Sequence, residues 1–255
     1  MRRSRDLGSS IRVLGVSVEV ADGVWRLGTR WVNWYFIQDG DRLTVVDAGL
    51  PQYWDQLPAA LGAIGRRISD VDGVFLTHAH FDVLGSAERV RAESGGQAYI
   101  HPADAAIARM QEHPKPRRAA LAQLWRPGLV IFMAHLVSQG GMGLAPLTQL
   151  ATVSDDEHLD LPGHPRVIAT PGHTPGHCSL LLAERGVLFS GDALTTFDAT
   201  TRTRGPRLMS INADRQQALA SLSRLELADA KTVLPGRGAP WRGGIAEAVR
   251  RARAE

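Results

Sequence analysis

The chain has 255 residues, 44% of them hydrophobic, and a formal net charge of +3, which fits one globular domain with a sizeable buried core. No apolar run reaches the ~20 residues of a membrane helix, and the single cysteine, Cys178, rules out an intramolecular disulfide. The basic excess sits partly at the ends, at Arg2, Arg3 and Arg5 and at Arg250, Arg251 and Arg253, with no aromatic residues interleaved; with no signal-peptide pattern, the expectation is a cytoplasmic protein, monomer or homodimer, with no nucleic-acid or membrane partner.

Residues 1–12 read as a tail, and 13–255 as a single domain. "VSVEV" (16–20) alternates like a half-buried strand, Asp22-Gly23 marks a turn, and "VWRLG", "WVNWYFIQ" and "RLTVVD" follow as strands, the last two joined at Asp39-Gly40. Trp54, Leu57, Leu61 and Ile64 recur at helical spacing, with Pro58 as an expected break. "GVFLTH" is a short buried strand, a helix is expected from about 84 to 93 up to Gly95-Gly96, and "QAYIH" is the next strand.

The stretch 103–150 reads as a helical insertion punctuated by Pro114, Pro116, Pro127 and Pro146, and its part 119–137 is apolar almost all round. Strands resume at "RVIAT" (166–170), "CSLLLA" (178–183) and "VLFSG" (187–191). Asn212 is the expected cap of a helix with Leu219, Leu222 and Leu225 on one face; "KTVLPG" (231–236) is the last strand, and a helix closes the chain. Strands followed by helix, twice, imply two sheets sharing a core with helices on their outer faces.

The histidines and aspartates fall at strand ends. His78, His80 and Asp82 follow "GVFLT", His173 follows "RVIAT", Asp192 follows "VLFS", and Asp47 ends "LTVV". Alternate residues of an extended segment share a face, so His78, His80 and Asp82 can converge on one centre. Imidazole and carboxylate suit Zn²⁺, and also Fe or Mn. His101, His113, His135, His158 and His164 read as ordinary surface or core histidines, and His177 as a hydrogen-bonding residue of its loop.

"VDAG", "THAHFD", "TPGHTPGH", "SGDA" and "LPGRG", in this order, resemble the metallo-β-lactamase superfamily, most closely its glyoxalase II-like hydrolases, over nearly the whole chain from Val16. The resemblance implies a four-layer α/β sandwich, αββα, with the metal site at one edge of the sheets. It implies a first metal site of His78, His80 and His173, with Asp192 bridging toward a second. That second site would use Asp82, the residue after it, and a histidine of the last loop.

Two positions depart from the family pattern. Val83 stands where HxHxDH carries its final histidine, and Arg237 stands where the closing "PGHG" carries another. Valine cannot ligate a metal, and a guanidinium stays protonated. The expectation is one metal ion per chain, with Arg237 placed as a charge between Asp82 and Asp192.

The expected activity is single-metal hydrolysis of an ester, thioester, lactone or related small molecule, with Asp82 orienting water and Arg237 clamping the substrate or the developing oxyanion. Alternatives are a mononuclear iron oxygenase of the persulfide dioxygenase type, using His78, His173 and Asp192, and a non-catalytic binding protein. Trp125, Phe132 and Met133 are candidates for an apolar substrate pocket, and the run "TTRTRGPR" (200–207) could bring Arg202 or Arg204 to an anionic group.

Overall fold

The computed structural model describes residues 13–14, 17–113 and 123–254; the expected tail at 1–12 lies outside them. The first sheet holds eight strands in sequence order: β1 (Val13–Leu14), β2 (Ser17–Ala21), β3 (Val24–Gly28), β4 (Asn33–Asp39), β5 (Arg42–Val46), β6 (Val71–Phe75), β7 (Gln97–Ile100) and β8 (Leu150–Thr152). β1 to β5 pair antiparallel, and β5 to β8 run parallel. The second sheet holds β9 (Arg166–Ala169), β10 (Cys178–Leu182), β11 (Val187–Gly191) and β14 (Thr232–Pro235), with β14 parallel to β11. A ribbon of β12 (Thr195–Phe197) and β13 (Arg204–Arg207) stands apart.

Alternation along the strands assigns the layers. In β4, Tyr35 and Ile37 pack into the inter-sheet core with Cys178, Leu180 and Leu182 of β10 and Val187 and Phe189 of β11. Trp34 and Phe36 turn outward, under α1 (Gln56–Ala63), α3 (Ala87–Ser94) and α4 (Pro102–Ala108). Across the second sheet, Leu181 and Leu188 face α6 (Arg215–Glu226) and α7 (Ile245–Arg253). The order is helix, sheet, sheet, helix, because each strand with two apolar faces needs a covering layer on both.

Several local expectations shift. α1 runs straight through Pro58, which sits in the first turn, where a missing N–H breaks no helical bond. The helix expected from about 84 to 93 is α3, which starts later, at Ala87, and ends at Gly95 as expected; a short α2 (Phe81–Leu84) precedes it. Asn212 does not cap α6: Asp214 does, accepting from the Gln217 N–H at 2.9 Å. Between β7 and β8 the described residues form α4 and α5 (Pro127–Ser138). Leu129, Phe132 and Leu136 of α5 face inward, while Val130, Ile131, Met133 and Val137 face solvent, in line with its apolar character all round. Among the described residues no helix is long and apolar enough to cross a membrane.

The loop after β6 is stitched to the loop after β5. Ala48 N–H donates to Val83 O, Gly85 N–H to Gly49 O, and Ser86 N–H to Ala48 O, at 2.9, 3.0 and 3.2 Å. A Cβ on Gly85 would meet Gly49 O at 2.3 Å and Leu50 Cα at 2.5 Å, so only glycine allows this approach. Gly85→Ala is expected to lower unfolding stability by about 1–3 kcal/mol, the usual cost of forcing atoms into a packed site, read from urea denaturation.

Candidate metal centre

Every chemical group leaves the C-terminal end of a strand. His78 and His80 follow β6, His173 follows β9, Asp192 follows β11 and Arg237 follows β14. The parallel register of β11 and β14 pairs Gly191 with Pro235 and so brings Asp192 beside Arg237. Three imidazoles and a carboxylate converge: one ligand atom from each of His78, His80, His173 and Asp192 lies within 4.8 Å of the others. His78 Nε2 is 2.9 Å from His80 Nδ1, and His173 Nε2 is 3.1 Å from the same atom. Asp192 Oδ2 lies 3.4 Å from His173 Nε2 and 3.9 Å from His78 Nε2.

The outer hydrogen bonds set the tautomers. Thr77 Oγ1 donates to Asp47 Oδ2 at 3.1 Å, so it accepts from His78 Nδ1–H at 2.9 Å. His173 Nδ1–H donates to Asn212 Oδ1 at 3.2 Å, while Asn212 Nδ2 donates to Met209 O. Both imidazoles then turn an Nε2 lone pair inward. Lone pairs gathered at this spacing repel unless a cation sits among them, and outward N–H donors of this kind are how metal-ligating histidines are held. The donor set fits a divalent metal of the zinc type, with iron and manganese also compatible. Burial, then the neighbouring imidazoles, holds His78 well below its ordinary pKa, so it stays neutral and able to ligate.

Arg237 lies between the two carboxylates. Its Nη2 is 2.6 Å from Asp82 Oδ2 and 2.9 Å from Asp192 Oδ2, its Nε donates to Asp192 Oδ2 at 3.0 Å, and its Nη1 donates to Trp31 O at 3.1 Å. The side chain is 4% exposed, and the Phe132 ring covers it with the guanidinium carbon 4.6 Å from the ring centre. Burial alone would raise the pKa of Asp192, but Arg237 and then His173 and His177 outweigh it and hold the carboxyl below the usual range. Burial opposes the charge of Arg237, and the two carboxylates overcome it, so the guanidinium is held even more firmly protonated.

His177 is structural. Its Nδ1 bonds Thr170 Oγ1 at 2.8 Å, its Nε2 accepts the Asp192 N–H at 3.0 Å, and burial lowers its pKa to about 3. His135 bonds the Tyr53 hydroxyl at 2.7 Å, and His101 caps α4. The three apolar candidates separate: Phe132 roofs Arg237, Trp125 is 75% exposed under the Arg126 guanidinium, and Met133 sits on the outer face of α5. The inward face of α5 is taken by Leu129, Phe132 and Leu136, which leaves Met133 outside, and Trp125 lies in the exposed turn before the helix. An apolar cleft of about 180 Å³ does border the histidine loop, lined by Ala79, Phe81, Leu84, Ile107, Met110 and Met142 among others.

The residue that sequence reasoning passed over is Asp104. It is fully buried on α4, where Oδ2 accepts from Ala79 N–H at 2.9 Å and from Thr174 Oγ1 at 2.7 Å, and Oδ1 accepts from Gly176 N–H at 2.8 Å. One carboxylate thus locks the loop of His78 and His80 to the loop of His173. A Cβ on Gly176 would strike Asp104 at 2.7 Å, so that glycine belongs to the same lock. The available signal was a lone acid among alanines in "ADAAIA" on a helix face that must be buried.

A family model described as the metallo-beta-lactamase superfamily matches residues 27–237. Among curated proteins, "Probable metallo-hydrolase YflN" of Bacillus subtilis is 27% identical over 244 residues, covering 90% of this chain and 89% of its own. Among solved structures, a metallo-beta-lactamase family protein of Thermus thermophilus superposes with a TM-score of 0.68 at 23% identity, covering 92% of this chain and 80% of its own. A Cronobacter sakazakii metallo-beta-lactamase described by its HARLDQ motif superposes with a TM-score of 0.66 at 20% identity, covering 92% and 94%.

Asp104→Asn keeps the side-chain shape but replaces an acceptor with a donor facing N–H and O–H groups. It is expected to weaken metal affinity about 10–100-fold, the usual effect of disturbing a ligand's support, measured by competition with a chromophoric chelator.

Proposed function

The chain belongs to the metallo-beta-lactamase superfamily, and from that premise we propose that it is a single-metal hydrolase acting on a small ester, thioester or lactone with an apolar acyl part. The observation that carries this reading is Arg237, buried between Asp82 and Asp192 where the family pattern places a second cation. His78, His80, His173 and Asp192 would hold the one ion, zinc being the best match to the donor set. When bound, the ion supplies Lewis-acid polarisation of a carbonyl oxygen and acidifies water.

The chain's own residues do the rest. Asp82 Oδ2 is committed to Arg237, and Asp82 orients the attacking water through its other oxygen. Arg237 has its Nε and both Nη atoms engaged by Asp82, Asp192 and Trp31, and it is roofed by Phe132. It therefore acts as a fixed charge rather than as a group that grips substrate: it offsets the repulsion of the two carboxylates and keeps Asp192 ionised beside the metal position. This replaces the substrate clamp expected from the sequence. The cleft of Phe81, Leu84, Ile107, Met110 and Met142 is mostly apolar and meets the histidine loop at Ala79 and Phe81, which supports a substrate with an apolar acyl part.

The test is a panel of p-nitrophenyl esters, acyl thioesters and lactones, with chelator-treated and zinc-restored protein. Zinc-restored hydrolysis that improves with acyl length up to the capacity of the cleft is expected; a zinc-loaded protein inert toward all three classes, or bound iron with persulfide-dependent oxygen uptake, would contradict the reading. Arg237→Met is expected to lower kcat/KM by about two orders of magnitude, the scale of losing one fixed electrostatic contact in an active site. It should also lower stability by about 3–5 kcal/mol, because two buried carboxylates lose their counter-charge; activity is therefore compared at a temperature where circular dichroism shows the variant folded.

A further inference from the structure

A cavity of about 370 Å³ lies away from the histidines. It lies beyond Arg237, between β3, the β12–β13 ribbon and the loop after β14. Three arginines reach it from three elements: Arg26 from β3, Arg30 from the β3–β4 loop and Arg204 from β13. Phe197, Pro240 and Trp241 supply apolar walls, and no carboxylate lines it. The Arg30 guanidinium carbon rests 5.0 Å from the centre of the Trp31 ring and 5.9 Å from that of Phe197, which holds it along the rim. Arg26 has only a long 3.5 Å bond to Gly238 O, and Arg204 is the cross-strand neighbour of Phe197. Among the described residues none of the three guanidiniums is in an ion pair, although many other arginines of the chain are paired.

Three like charges around one concave, partly apolar space repel one another, and an anion among them would relieve that repulsion. Guanidiniums present forked donors that match phosphate and carboxylate oxygens. A bare inorganic ion would leave the walls of Phe197, Pro240 and Trp241 unused, and the volume falls in the range of small-molecule sites. We propose that this cavity is a second binding site, separate from the metal centre, for a small organic anion: a phosphate or carboxylate head held by Arg26, Arg30 and Arg204, with a flat apolar body against Phe197, Pro240 and Trp241. The sequence run 200–207, which the metal centre does not use, contributes Arg204 to it.

The site shares a wall with the catalytic region. Gly238 N–H donates to Arg30 O at 3.1 Å, and Asn33 Nδ2 donates to Gly238 O at 2.7 Å, next to the Arg237–Trp31 bond. An occupant therefore touches the two segments that hold Arg237 in place.

Phenyl phosphate titrated into the metal-loaded full-length protein by calorimetry is the direct test, with benzoate and inorganic phosphate as companion probes. Phenyl phosphate is expected to bind at least tenfold more tightly than inorganic phosphate. Arg30→Gln/Arg204→Gln, two exposed positions, should weaken it at least tenfold, and His80→Ala should leave it in place because the metal centre is elsewhere. Benzoate binding comparable to phenyl phosphate identifies the head group as any anion; benzoate failing identifies it as phosphate, and either result fits the proposal. Phenyl phosphate that fails to bind at millimolar concentration, binding retained in the double variant but lost in His80→Ala, or inorganic phosphate binding as tightly as phenyl phosphate would overturn it.

Discussion

A guanidinium withdrawn from water must be matched by negative charge, and two carboxylates crowded at one site must be separated by positive charge. Arg237, Asp82 and Asp192 meet both needs at once, with contacts of 2.6 to 3.0 Å. The other features of the centre follow from this triad. Asp192 stays ionised because Arg237 faces it, its backbone N–H is held by a neutral His177, and its carboxylate closes the ring of three imidazoles. Val83 fits the same logic. Its side chain is buried with the first apolar core, so under the proposed single-metal reading the position after Asp82 belongs to the packing and Arg237 supplies the charge a second cation would bring.

The scaffold makes this economical. Each ligand leaves the end of a strand whose other residues are locked into one of two sheets, and Asp104 ties together the two loops that carry the histidines. Buried carboxylates that accept from several donors cost little once every oxygen is satisfied. On the other side of Arg237, Trp31 accepts from its Nη1 and stacks against Phe132, which in turn roofs the guanidinium. α5 is therefore part of the electrostatic site through one ring, while most of its apolar surface faces away.

Much of this was legible along the chain. The apolar runs in "NWYFIQ" and "CSLLL" announced two-faced strands, and those strands form the two sheets. The histidines and aspartates at strand ends marked the centre, and the family resemblance made Val83 and Arg237 visible as departures. What stayed hidden depends on pairing distant in sequence. Asp104 reads locally as an acid in the first turn of a helix; its partners Ala79, Thr174 and Gly176 come from loops before and after it, and nothing local announces them. Asn212 reads as a helix cap, yet Asp214 takes that role and Asn212 turns to His173. Met133 reads as a pocket residue because periodicity shows that a helix is apolar all round without saying which face turns inward, and Trp125 reads as one because the apolar run does not show that the helix starts only at Pro127.

The central claim is that one cation and one guanidinium share a centre that the family pattern builds for two cations. Elemental analysis of protein dialysed against excess zinc and then freed of loose ions tests it most directly. One tightly held ion per chain is the expected result. Two tightly held ions per chain would contradict it, since the second could be seated only by displacing Arg237 from Asp82 and Asp192.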